Sequence, residues 1–275
     1  MRYQCRVTDI PHHGALPHLS AAETRLSSAL ARPRRIAILC VVALSGFGWL
    51  ALGLLAADTE FWLALCRPMV AGGWSELALV LAMWVAMTLA MMLPTAGPMI
   101  LTYAEIADTA ARQREPVASP LVLTAGYVAV WLGFAVAATA LQAALTQTVV
   151  LDAGRTSAWL AGAILIGAGL YQFSALKHAC LTLCQRPFPF FFANWTAQPS
   201  GVFRLGLRQG LYCLGCCWAL MLVMFAAGAM NVVWMALLGI VMTIEKMSVT
   251  ARFARAVGVA FTVIGLGVVA MAAVH

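Results

Sequence analysis

Charged side chains are scarce in this chain of 275 residues. Only 10% of the residues are charged, while 63% are hydrophobic; a soluble domain carries about 25% charged residues. So little charge is typical of proteins embedded in lipid, where an exposed charge is costly. The net charge of +7 does not indicate a nucleic-acid binder, because such proteins are not this apolar. It fits basic loops attracted to anionic lipid, so the expected partner is a lipid bilayer and not nucleic acid.

Familiar catalytic and cofactor motifs are also missing. The sequence contains no Ser-His-Asp arrangement, no phosphate-binding loop and no haem attachment sequence, so an enzyme is less expected than a binding protein. Eight cysteines are present, but their spacing is not that of a secreted disulfide framework. Five of them fall between residues 180 and 217, which turns attention to what those residues could bind.

Seven apolar runs are candidates for membrane-spanning helices, each of which needs about 20 apolar residues. The runs are residues 36–57, 76–103, 121–150, 159–176, 210–228, 231–244 and 256–274. They predict an all-α fold, a polytopic transmembrane helical bundle of about seven spans. Residues 1–35 are predicted to be a flexible cytoplasmic tail, and residues 36–275 a single bundle domain. The short gap between the fifth and sixth runs predicts a hairpin.

Basic residues are distributed asymmetrically over the predicted loops. With the amino terminus inside, fifteen of the seventeen Lys and Arg residues lie on the inner side, and only Arg67 and Arg155 lie outside. Positive loops face the cytoplasm in membrane proteins. The sequence therefore predicts a multi-pass protein of the cytoplasmic (inner) membrane with its amino terminus in the cytoplasm.

A first cysteine cluster follows the fourth apolar run. On a helix, Cys180 and Cys184 would share one face, since they are four residues apart. Two thiolates at that spacing suit a soft or borderline metal ion, and His178 or Lys177 lies nearby. The alternative is that the two thiols only pack as small hydrophobic groups.

A second cysteine cluster is expected to open the fifth helix on the cytoplasmic side. Cys213 and Cys217 would share a face, with Cys216 beside them, and Gly206 and Gly215 would allow close helix contact. Three cysteines within five residues indicate metal or redox chemistry more than simple packing.

Methionines follow one face of the second predicted helix. Met83, Met87 and Met91 are four residues apart, Met92 follows, and Pro94 would free a backbone carbonyl one turn earlier. Thioethers are soft ligands for monovalent copper, although methionine also fills gaps in helix bundles. This face is expected to lie close to the two cysteine clusters.

Glu245 is a carboxylate at the end of the sixth apolar run, on the same predicted side as the cysteines. An ionisable group at membrane depth is a functional candidate, with Lys246 or Arg208 as its expected partner. The alternative is a salt bridge that ends the helix.

At these residues the sequence resembles a bacterial family of predicted metal-binding integral membrane proteins, catalogued as domain of unknown function 2182. The stretches that carry the resemblance are residues 83–94, 171–187, 206–221 and 228–246. The resemblance implies metal binding without fixing the metal or a reaction. Similar chains often carry His at the position of Gln209, so here the site would be built more fully from sulfur, which favours monovalent copper over zinc.

Together these patterns predict a membrane protein that binds copper at the cytoplasmic side and stores it or delivers it to a membrane metalloenzyme or metallochaperone. The candidate metal ligands and relays are Cys180, Cys184, Cys213, Cys216, Cys217, Met87, Met91, Met92, His178 and Glu245. Two alternatives stay open. One is a small-solute or ion transporter that uses the kinked second helix and Glu245; the other is a membrane thiol oxidoreductase.

Overall fold

The computed structural model describes residues 33–57, 74–149, 155–226, 232–248 and 252–274. Within these ranges the chain forms nine helices and no strand, which confirms the all-α prediction. The helices are α1 (Pro33–Ala57), α2 (Trp74–Arg112), α3 (Pro120–Val149), α4 (Arg155–Tyr171), α5 (Ala175–Gln185), α6 (Pro187–Ala193), α7 (Pro199–Ala226), α8 (Val232–Met247) and α9 (Arg252–Val274).

Helix α2 packs on α1, α3, α6 and α8. Met87 and Met91 are buried, as their shared helix face predicts. Pro94 lies inside α2 and has no N–H to donate to the carbonyl of Ala90. The hydroxyl of Ser45 in α1 donates to that carbonyl instead, at 3.3 Å. The carbonyl freed by the proline is therefore used in helix packing.

Glycines bring α7 close to its neighbours. A Cβ added at Gly206 would collide with the carbonyl of Leu123 in α3, and one at Gly215 would lie 2.6 Å from the sulfur of Cys180 in α5. The close helix contact predicted for these glycines is confirmed. It follows that α5 and α7 pack too closely at Gly215 for a side chain to fit there without a shift.

The fourth predicted helix is divided in the structure. Helix α4 ends at Tyr171 and α5 begins at Ala175, and the two are bent by 64°. Ser174 caps α5, because its side chain accepts a hydrogen bond from the backbone N–H of Lys177 at 3.1 Å. The prediction of one continuous helix over 159–176 is therefore wrong, and the break lets α5 pack on α7 and α8.

Five of the described helices are long and apolar enough to cross a bilayer, namely α1, α2, α3, α7 and α9, and the bent pair of α4 and α5 makes a sixth if it counts as one span. Large apolar side chains such as Leu54 and Val263 are exposed on α1 and α9, which suits lipid better than water. Helix α8 has only 16 residues, so the predicted count of seven spans is not confirmed. The helices are compatible with a membrane protein.

Some predicted positions differ from the structure, and others lie outside the described residues. The fifth predicted helix is α7 in the structure, and it begins at Pro199, well before the predicted residue 210. The expectation that the second cysteine cluster opens this helix is therefore wrong, since Cys213 lies near its middle. The predicted tail up to residue 32 and the hairpin turn near residue 229 lie outside the described residues.

Candidate metal centre

Three cysteines of α7 place their sulfur atoms together. The Sγ atoms of Cys213, Cys216 and Cys217 all lie within 4.8 Å of one another, and those of Cys216 and Cys217 are 3.3 Å apart. The three residues are 2%, 1% and 1% exposed. Because a metal–sulfur bond is about 2.3 Å long, sulfur atoms up to about 4.6 Å apart can share one ion. These three residues, called the trio below, have the spacing of a metal centre.

Two side chains from other helices contact Cys213. The ammonium of Lys246 in α8 donates to the Cys213 sulfur at 2.9 Å and to the hydroxyl of Thr95 at 2.6 Å. The hydroxyl of Tyr127 in α3 lies 2.9 Å from the same sulfur and donates to the carbonyl of Met92 at 3.1 Å. A neighbouring cation stabilises a thiolate, the form in which cysteine binds metals. The surroundings of the trio therefore favour a negatively charged ligand.

The two cysteines of α5 face the trio across the helix interface. The thiol of Cys184 interacts with that of Cys216, and the sulfur of Cys180 occupies the space left by Gly215. Both α5 cysteines are only half-buried. Their predicted common face is thus turned towards α7, and all five cysteines of the two clusters meet at one interface.

A buried ion pair fixes α5 to α8. The ammonium of Lys177 lies 2.7 Å from a carboxylate oxygen of Glu245, and the two side chains are 1% and 2% exposed. The amide of Gln185 donates to the backbone carbonyl of Glu245 at 2.9 Å. Lys246 or Arg208 was the expected partner of Glu245, and that expectation is wrong. Glu245 positions the helix that carries two cysteines, and it lies outside the trio.

The remaining predicted residues are placed differently from one another. Met92 contacts the site through its carbonyl, which accepts the Tyr127 hydrogen bond, whereas the Met91 side chain lies against Gly239 of α8. Met87 is buried in the core, and His178 is half-buried on α5. Within the described part of the chain, the trio is the only set of three or more Cys, His, Asp or Glu residues spaced to share an ion.

No motif in the sequence points to Tyr127 or Thr95, although both are polar groups inside apolar helices, and that rarity is a usable signal. Gln209 is also at the site, since it lies one turn before Cys213 on the same face of α7. It is 2% exposed, and its side-chain nitrogen has no hydrogen-bond partner among the described residues. A buried amide therefore lies one turn from Cys213.

The fold and the site define a helical protein whose buried, sulfur-rich centre suits a soft metal ion. The sequence model of the PpoB2 copper chaperone family matches residues 81–268. Because the match covers more than half of the chain and includes the trio, the chain belongs to this copper chaperone family. No curated protein and no solved structure matches the chain.

Proposed function

We propose that this chain is an integral membrane copper chaperone that binds monovalent copper at the trio and passes it to a membrane metalloenzyme or another metallochaperone. The observation that carries the proposal is the set of three buried sulfur atoms within 4.8 Å of one another. Thiolate ligands favour soft and borderline ions such as monovalent copper and zinc over hard cations. Membership of a copper chaperone family supports the choice of copper over zinc.

The chain's own charges suit a monovalent ion in this position. With one cysteine of the trio kept as a neutral thiol, two thiolates and one monovalent copper ion carry a net charge of minus one, and a buried charge needs compensation. The ammonium of Lys246, 2.9 Å from Cys213, supplies it. Lys246 is then a counter-charge to the metal centre, and Tyr127 orients the Cys213 sulfur from the opposite helix.

The other predicted ligands take supporting roles. Cys184 and Cys180 are additional sulfur ligands at the edge of the trio, and Met92 lies beside it. Met87 and Met91 belong to the packed face of α2. A relay of the copper ion by thioether groups would have to begin at this face. Glu245 acts through Lys177 by holding α5, and His178 is a ligand only if an ion binds at the exposed side of α5.

The centre is proposed to open to the cytoplasm, in a cytoplasmic membrane protein with its amino terminus inside. The excess of basic residues in the predicted inner loops supports this orientation. A membrane-impermeant thiol reagent added outside intact cells should leave Cys180 and Cys184 unmodified. Modification of either residue from outside would contradict the proposed orientation.

Copper content tests the function. The protein, purified in detergent, is loaded with monovalent copper under anaerobic conditions, desalted, and its metal is counted by mass spectrometry. Wild type should retain about one ion per trio, and the variant with Cys213, Cys216 and Cys217 changed to Ser should retain close to none. The matched control is Cys40→Ser in α1, which should behave as wild type. Equally low copper in wild type and triple variant would refute the proposal.

A further inference from the structure

A small cavity lies beside the trio, between α2, α5 and α8. Its volume is about 80 Å³, and Thr95, Met99, Cys184, Lys246 and Met247 are among the residues that line it. One of its lining residues, Met247, is 72% exposed. Three of these lining residues carry sulfur, so a mostly apolar protein has a small opening lined with soft ligands.

The cavity adjoins the trio at two points. Cys184 lines the cavity and its thiol also interacts with that of Cys216. Lys246 lines the cavity and its ammonium donates to the sulfur of Cys213. An ion in the cavity would therefore reach the trio by exchanging one sulfur ligand for the next.

The two ends of this path differ in exposure. Met247 is largely exposed, Cys184 is half-buried, Met99 is 5% exposed and the trio is buried. Thioethers bind monovalent copper without having to lose a proton, so they can take it up before the thiols do. An arrangement that runs from exposed thioether to buried thiol suits stepwise inward transfer.

Resting on the proposed function, we infer that this cavity is the port through which monovalent copper enters. Met247 and Met99 bind the ion first, and Cys184 then transfers it to Cys216. Lys246 stands at the inner end, between Thr95 and Cys213. Its ammonium compensates the negative charge of the thiolates that receive the ion.

The test separates the rate of copper uptake from the amount bound. Monovalent copper is supplied as its bicinchoninate complex to the detergent-solubilised full chain, and loss of the coloured complex is followed by stopped flow. Met99→Leu with Met247→Leu should slow uptake about tenfold, which corresponds to about 1.4 kcal/mol of barrier. The final copper content should equal that of wild type, because the trio is intact.

Two further variants keep the test decisive. Met247→Leu alone changes an exposed side chain, cannot disturb the core, and should give a smaller slowing in the same direction. Met271→Leu on α9, also exposed, is the matched control and should leave the rate unchanged. Wild-type rates in the double variant, or a loss of final copper content, would overturn the port. Absence of copper from wild type itself would instead overturn the proposed function.

Discussion

The two groups of cysteines that meet at the α5–α7 interface differ in burial and in what holds them. The trio is almost completely buried and lies within one helix of 28 residues. Cys180 and Cys184 are half-buried on a helix of 11 residues. A site that only stored an ion would need no second, more exposed group of thiols. Under the proposed function, the difference separates a place for holding the metal from a place for exchanging it.

The position of the two α5 cysteines depends on charged residues that are far apart in the sequence. Within the trio, helix geometry alone puts three sulfur atoms on one face. The α5 cysteines reach that face only because Ser174 starts a new helix and Lys177 pairs with Glu245. The first arrangement is local, and the second relies on a contact between residues 68 positions apart. Perturbing that contact should disturb one group and spare the other.

The largest effect is expected from breaking the buried ion pair. Lys177→Met leaves the carboxylate of Glu245 buried without its partner, which should destabilise the protein by about 3–5 kcal/mol. We expect a lower thermal midpoint in detergent, and faster alkylation of Cys180 and Cys184 than of the trio, read by peptide mass spectrometry.

The control for this change is the double variant Lys177→Met with Glu245→Leu. It replaces both charges by apolar groups, which is often neutral for stability. Its thermal midpoint should recover most of the loss, and alkylation of the α5 cysteines should fall again. If the single variant alkylates both groups of cysteines equally, the ion pair does not hold α5 in particular.

A smaller effect is expected where the two groups touch. Gly215→Ala places a Cβ 2.6 Å from the sulfur of Cys180, and such overpacking costs about 1–3 kcal/mol. The thiol of Cys180 should move outward and react faster with iodoacetamide, while copper content stays near that of wild type.

Gly167→Ala in α4 is the matched control, since nothing lies within 4 Å of its added methyl group. It should leave stability unchanged or raise it slightly, because alanine favours helix more than glycine does. Equal thiol reactivity in both glycine variants would mean that the contact between α5 and α7 tolerates the extra carbon.

The smallest effect is expected from one hydroxyl at the trio. Tyr127→Phe removes the group that lies 2.9 Å from the Cys213 sulfur, a change worth about 0.5–1.5 kcal/mol. Copper affinity, measured by competition with bicinchoninate, should fall by less than about tenfold, the factor that 1.4 kcal/mol represents.

Tyr171→Phe is its counterpart on the side of the α5 cysteines, because the Tyr171 hydroxyl donates to the carbonyl of Gly215 and does not contact Cys213. Copper affinity should stay at the wild-type value in this variant. A similar loss of affinity in both variants would remove the distinction between the two sides of the interface.

Much of the fold follows from composition and helix periodicity. Long apolar runs predict helices whatever surrounds them, and the described ends of α1, α3 and α9 fall close to the predicted ones. The break between α4 and α5 was missed because its polar markers, Gln172 and Ser174, lie within an otherwise apolar run that is long enough to form a single helix. The early start of α7 was missed for the opposite reason, since polar residues such as Arg204 and Arg208 continue the helix before its apolar part begins.

The candidate site, like the fold, could be predicted from the sequence only in part. Cys213, Cys216 and Cys217 could be grouped from the sequence alone, because residues three and four apart share a helix face. The spacing of Cys180 and Cys184 likewise gave a pair, but not the helix it would face. The remaining contacts join different helices. They are the pairing of Lys177 with Glu245 and the contacts among Lys246, Thr95, Tyr127 and Cys213. Their sequence separations carry no information about distance.

By itself, then, the amino-acid sequence determined that this chain is a bundle of apolar helices carrying clustered sulfur. Both properties depend on neighbours within a turn or two of the same helix. Only the tertiary structure decided which helices bring that sulfur together, which cation lies beside Cys213, and that a cavity lies beside Cys184. Those features arise from packing between helices, where one glycine or one buried ion pair sets the distance.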